Sequence, residues 1–171
     1  GIFYYVFLIV GIVFTVNSVN LTDGIDGLAA SVTAAASLFL CAMSCRLELT
    51  AAAVLSAAVL GGCLGFFVYN AHPAKVFMGD TGSLFLGGAV SAIAVWLDKP
   101  LLLVFVGFIY YLEAISVVLQ VASYKLFKKR IFKMSPIHHH FEMCGWNEWT
   151  IVGAAVAVTV LLSVLGCYGY L

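Results

Sequence analysis

The stretch Leu49–Tyr69, LTAAAVLSAAVLGGCLGFFVY, contains no charged residue and no proline. Such a run, wound as an α-helix, rises about 30 Å, the thickness of a bilayer's hydrocarbon core. It is read here as a membrane-spanning helix. Five further apolar segments lie around it, at about 2–17, 28–45, 83–97, 101–123 and 149–170. Together they predict an all-α integral membrane protein with six transmembrane helices and cytoplasmic catalytic loops, 1–171 forming a single membrane domain. Only the connection 124–148 is long.

Composition points the same way. Hydrophobic residues make up 64% of the chain and charged residues 9%, against about 25% charged in soluble domains. A net charge of +0 leaves no basic surplus to displace counterions, which excludes a bulk nucleic-acid binder. The five cysteines, Cys41, Cys45, Cys63, Cys144 and Cys167, form no C-x-x-C pair and read as packing residues. Gly61, Gly62 and Gly65 suit close helix packing within the chain, and the Gly61-x-x-x-Gly65 spacing also allows a homodimer. The chain opens on Gly1, already inside an apolar run, and reads as the C-terminal part of something longer.

Six alternating crossings put the loops after the first, third and fifth segments on one face. That face carries Lys75, Lys125, Lys128, Lys129, Arg130 and Lys133, six of the eight basic residues. The positive-inside bias then makes it cytoplasmic. The fifth segment carries Glu113 near its middle, with Ser116 and Gln120 on the same helix face. Its basic, amphipathic continuation to Met134 is expected to extend the helix along anionic membrane lipids.

The three loops on that face are polar islands: Asn20-Leu-Thr-Asp-Gly-Ile-Asp-Gly27, Phe77-Met-Gly-Asp-Thr-Gly-Ser83 and Ser135-Pro-Ile-His-His-His-Phe-Glu142. Acids and imidazoles are costly at the ends of membrane helices, which makes each island a candidate for chemistry. Asp23 and Asp26, each followed by glycine, suit Mg²⁺ coordination, proton transfer or helix capping. Asp80 has the composition of a helix-start cap as well. Asn70, Lys75 and Phe77 offer an amide, an ammonium and a ring face to a nucleotide. Three consecutive imidazoles cannot all hold one ion from a regular helix. His138 or His140 is therefore read as a ligand or proton carrier, or the whole run as phosphate donors.

Taken together, Asn20-Leu-Thr-Asp-Gly-Ile-Asp-Gly-Leu-Ala29, Val76-Phe-Met-Gly-Asp-Thr-Gly-Ser-Leu84 and Pro136-Ile-His-His-His-Phe-Glu142 resemble the motif blocks of the phospho-N-acetylmuramoyl-pentapeptide transferases. These belong to the polyprenyl-phosphate N-acetylhexosamine-1-phosphate transferase superfamily, and the resemblance runs over essentially the whole chain. It implies a multi-pass enzyme of the bacterial cytoplasmic membrane, with about ten helices. Such an enzyme passes phospho-N-acetylmuramoyl-pentapeptide from its UDP carrier (UDP-N-acetylmuramoyl-pentapeptide) to undecaprenyl phosphate, with Mg²⁺. Carried onto this sequence, it makes Asp80 and Asp23 metal ligands and Asp23, Asp26, Asp80 and His138 catalytic. Phe77 would stack on uracil, Asn20, Asn70 and Gln120 would make polar contacts, and His139 and His140 would line the phosphate side. The family's adjacent Asp-Asp pair is absent from these residues. The alternatives are a sister transferase using a UDP-N-acetylhexosamine without the peptide, and a metal-ion transporter. The latter would need polar residues at several helix midplanes, where only Glu113 is found.

Overall fold

A computed structural model describes residues 1–169; the last position of the expected segment 149–170 lies outside them. The chain is all helical there: α1 Ile2–Thr22, α2 Leu28–Arg46, α3 Thr50–Asn70, α4 Gly79–Trp96, α5 Leu102–Val106, α6 Phe108–Phe127, α7 Ile137–Met143 and α8 Glu148–Tyr168. Four of them, α1, α2, α3 and α8, are long and apolar enough to cross a membrane. The other two expected spans differ for reasons visible in their residues. α4 starts on Gly-Asp-Thr-Gly-Ser, which dilutes its apolar length, and α6 carries Glu113, Gln120 and Lys125. The expected segment 101–123 is also divided, because Gly107 (φ −100°, ψ 9°) closes α5 and opens α6.

α2 is the centre of the bundle, with Leu28, Ala29, Ala30, Val32, Ala36 and Leu40 fully buried. Its alanines let α3 and α8 approach closely. α1 packs on α4 and α6, and a Cβ at Gly87 of α4 would stand 2.7 Å from the Val16 Cα. Outward, Ile2, Phe3, Phe7, Ile9 and Val10 of α1 are exposed, a face that suits lipid and not water. Gly61, Gly62 and Gly65 do not serve packing within the chain as expected: nothing among the described residues lies within 4 Å of a Cβ built there. They face outward on α3.

Two tyrosines fix α6 against its neighbours. Tyr110 reaches Thr33 of α2 and Tyr111 reaches Thr15 of α1, both at 2.8 Å. Each threonine hydroxyl already donates to the carbonyl four residues back, Ala29 or Gly11. Its single hydrogen is therefore used, and the tyrosine donates in both pairs. Successive residues on a helix point about 100° apart, so adjacent tyrosines serve two different helices.

The expected helical continuation to Met134 does not form. α6 ends at Phe127, and Lys128 turns left-handed (φ 55°). Gln120 accounts for the reversal: its Oε1 accepts from the Ile131 and Phe132 N–H groups, while its Nε2 donates to the Phe132 carbonyl. Ser123 adds a bond to the Lys129 carbonyl. These side chains offer the backbone partners that a longer helix would have supplied internally.

Candidate active site

The polar islands meet at one end of the bundle. α1 ends at Thr22, and Asp23 to Gly27 turn the chain into α2, with Gly27 left-handed at φ 77°. A side chain at Gly27 would also strike Phe67, its Cβ 2.7 Å from that ring. Asn70, at the end of α3, accepts from the Gly27 N–H at 3.1 Å and donates to the Val76 carbonyl at 2.9 Å. One amide thus ties the first island to the second.

Between them lies a recess of about 270 Å³ lined by Asn20, Asp23, Gly24, Ile25, Asp26, Asn70, Phe77, Gly79 and Asp80. Of the candidates from the first two islands, Asn20, Asp23, Asp26, Asn70, Phe77 and Asp80 are on its wall, and Lys75 is not. Asn20 donates to Asp80 Oδ1 at 3.0 Å and to Ser83 Oγ at 2.9 Å. No side chain caps α4, which leaves the Asp80 carboxylate to Asn20 and the recess. Burial raises the Asp23 carboxyl from 3.8 to about 6; a Gly79 backbone hydrogen bond opposes the rise, and the charge of Asp80 adds to it. Phe77 is 76% exposed at the rim. Among the described residues, the lining includes three carboxylates and no cationic side chain.

Asp26 has partners that the sequence did not suggest. Its Oδ2 accepts from the Ala74 N–H at 2.9 Å and lies 3.0 Å from His72 Nδ1. The same His72 nitrogen is 3.3 Å from Glu148 Oε2, which also accepts the Asp26 N–H. Asp26, His72 and Glu148 thus place three potential metal-ligand atoms within 4.8 Å of one another. His72 stands within the Asn70-Ala-His-Pro run and Glu148 opens the last apolar segment. Neither position shows, in sequence, which carboxylate it faces.

α7 spreads the three histidines as a helix must. His138 points inward and is buried. Its Nδ1 is 2.9 Å from Glu113 Oε2, and its Nε2 faces Gly24, where an added Cβ would lie 2.3 Å away. His139 pairs with Glu142. His140 accepts the Lys133 N–H on Nδ1 at 3.1 Å. Thus His138 joins the first island from beneath, while His139 and His140 bond within their own segment. Gln120 serves the 131–132 backbone. Beside it, Lys125, Arg130 and Lys133 ring a separate hollow of about 330 Å³.

Fold and site together define a helical membrane protein with an acidic recess at one end of its bundle. Residues 1–98 match the family described as glycosyl transferase family 4, and the chain belongs to that family. A phospho-N-acetylmuramoyl-pentapeptide-transferase of Clostridium kluyveri is 54% identical over 166 residues, 97% of this chain and 52% of its own length. That of Caldicellulosiruptor bescii is 55% identical over 153 residues, 90% of this chain and 48% of its own. That of Acetivibrio thermocellus is 51% identical over 170 residues, 98% of this chain and 51% of its own. The chain spans about half the length of these relatives.

Proposed function

We propose that the chain forms the recess-bearing half of a transferase that moves phospho-N-acetylmuramoyl-pentapeptide from UDP-N-acetylmuramoyl-pentapeptide to undecaprenyl phosphate, releasing UMP and leaving lipid I. The observation that carries this reading is the pair Asp23 and Asp80 on the wall of one open recess, with no cationic side chain among its described lining residues. The hard carboxylate oxygens of that pair fit Mg²⁺, and Asp23 and Asp80 would hold it. When bound, the ion neutralises charge on the diphosphate as the phosphoryl group transfers. Asn20 orients the Asp80 carboxylate. Phe77 offers a rim ring to the uracil, and Asn70 shapes the wall, one of its two amide hydrogens given to the Val76 carbonyl. Asp26 is held on the recess wall by His72 and the Ala74 N–H. His138 lies on the phosphate side, behind Gly24.

In this reading α4 and α6 also cross the bilayer, giving six spans with the recess in the cytoplasm. The clustering of basic residues near that end supports the orientation. The hollow of Lys125, Arg130 and Lys133 suits the headgroup of an anionic lipid. Single cysteines at the exposed positions Lys75 and Lys129 should resist an impermeant thiol reagent in intact cells; labelling from outside would overturn the orientation. Function is tested with the full-length protein given undecaprenyl phosphate and UDP-N-acetylmuramoyl-pentapeptide, in competition with UDP-N-acetylhexosamines lacking the peptide. Lipid I is the expected product. Transfer from the peptide-free donor alone would identify a sister transferase instead.

A further inference from the structure

Glu113 and His138 are both buried and come from different elements, α6 and α7. Glu113 Oε2 lies 3.3 Å from the His138 backbone nitrogen and 2.9 Å from its Nδ1. A backbone N–H can only donate, so Oε2 is an acceptor there, and a carboxylate oxygen between two nitrogens accepts from both. Nδ1 therefore carries a hydrogen, and in the neutral ring Nε2 carries the lone pair. That Nε2 is buried and has no hydrogen-bond partner among the described residues. Gly24 stands beside it, and its missing side chain leaves the ring room: a Cβ would sit 2.3 Å from Nε2. Gly24 lines the recess next to Asp23.

We propose that Glu113 is a positioning residue: it fixes His138 in the Nδ1–H tautomer and aims an acceptor Nε2 at the Asp23–Gly24 turn, toward a donor such as a substrate hydroxyl or a bound water. The proposal rests on the transferase reading, in which His138 belongs to the phosphate side. A purely structural role, in which Glu113 accepts a free first-turn N–H of α7, accounts for the backbone contact alone. It would also leave the unpartnered Nε2 without a reason.

Two substitutions separate tautomer from charge. In Glu113→Gln, the backbone N–H of His138 selects the amide oxygen for the shared position, so Nδ1–H keeps its acceptor and only the charge is lost. In Glu113→Leu, the acceptor itself is gone. Full-length protein, ¹⁵N-labelled at histidine, is examined by solid-state NMR in lipid, with steady-state transfer kinetics alongside. Wild type and Glu113→Gln should show the Nδ1–H tautomer at His138, with kcat of the Gln variant down about tenfold, the scale of replacing a charge-assisted hydrogen bond by a neutral one. Glu113→Leu should show mixed tautomers and lose on the order of 10³–10⁴-fold in kcat, the scale of a misplaced tautomer at a catalytic histidine, with KM for the UDP donor little changed. An Nε2–H tautomer in wild type or in Glu113→Gln would overturn the proposal, as would unaltered kcat in both variants. If Glu113→Leu fails to fold, the Gln variant still decides. Normal turnover by His138→Gln would also overturn the proposal while leaving the transferase reading intact; no lipid I formation by the wild type would be the failure of that reading instead.

Discussion

Asp23 is held within electrostatic reach of Asp80 at the mouth of one recess, and its carboxyl is raised from 3.8 to about 6, by burial first and by the Asp80 charge in addition. The native state therefore binds a proton more tightly there than the unfolded chain does. Between those two values the native protein holds more protons, so stability from this group falls as pH rises from about 4 to about 6, then levels off. Asp23→Asn removes that loss. In full-length protein with a chelator present, the melting temperature of the variant should gain on wild type across that window and stay ahead at pH 7. Parallel melting curves would show that Asp23 is not perturbed. Added Mg²⁺ at pH 7 should stabilise wild type more than the variant.

A second prediction concerns the contact between Gly24 and His138. Gly24→Ala forces a Cβ into the ring, and the buried ring has little room to retreat. Destabilisation of about 1–3 kcal/mol is expected, typical of overpacking. His138→Ala opens space, so the double variant should recover part of that loss. A double-mutant cycle by thermal unfolding measures the coupling, and strict additivity would show that the two residues do not touch.

Much of this arrangement was readable in the chain. Long apolar runs marked the helices, and the first two islands marked the recess, with the third touching its wall at Gly24 through His138. The break at Gly107 was not readable, since its neighbours are uniformly apolar and no turn residue flanks it. The reversal after Phe127 was hidden for a different reason. Local pattern favoured a longer helix, and Gln120 overrode it by bonding a backbone eleven and twelve residues ahead. His72 and Glu148 escaped because their importance lies in meeting Asp26 across 46 and 122 residues of sequence. Periodicity carries no record of such distant pairings.

His72 supplies a third prediction. It bridges Asp26 and Glu148 at 3.0 and 3.3 Å and so clasps the 70–78 loop that presents Phe77. With His72→Ala, the Ala74 and Asn70 bonds remain but the clasp to α8 is lost. KM for the UDP donor should rise about tenfold in the full-length enzyme, the effect of losing about 1.4 kcal/mol of binding, while kcat changes less. An equal fall in kcat with unchanged KM would place His72 in the chemistry itself.

Gly87 and Gly88 provide a test of the helix packing with an internal control. A Cβ at Gly87 would stand 2.7 Å from the Val16 Cα, whereas one at Gly88 would meet nothing from another element within 4 Å among the described residues. Gly87→Ala should therefore push α4 from α1 and cost about 1–3 kcal/mol. Gly88→Ala should be neutral or slightly stabilising through its better helix propensity. Thermal melting of both variants in the same detergent compares them directly; equal effects would mean that α1 and α4 do not cross here.

Asp80→Asn is the sharpest test of the recess. Asp80 lies in the first turn of α4, where a carboxylate is favoured by the helix dipole, yet no side chain caps that helix. Its oxygen accepts instead from Asn20, which also reaches Ser83. Asparagine preserves shape and can still accept from Asn20 through its own carbonyl. What it removes is charge, the property needed to hold Mg²⁺ against a diphosphate. Turnover by the full-length protein should fall on the order of a thousandfold, corresponding to several kcal/mol in the barrier. The melting temperature should stay the same or rise, since the variant also relieves repulsion on Asp23. A Mg²⁺ titration of lipid I formation, run beside melting curves on the same preparation, separates these effects. A well-folded Asp80→Asn protein that turned over normally would make this acid a helix-end residue, and the cluster of Asp26, His72 and Glu148 would become the place to look for the ion.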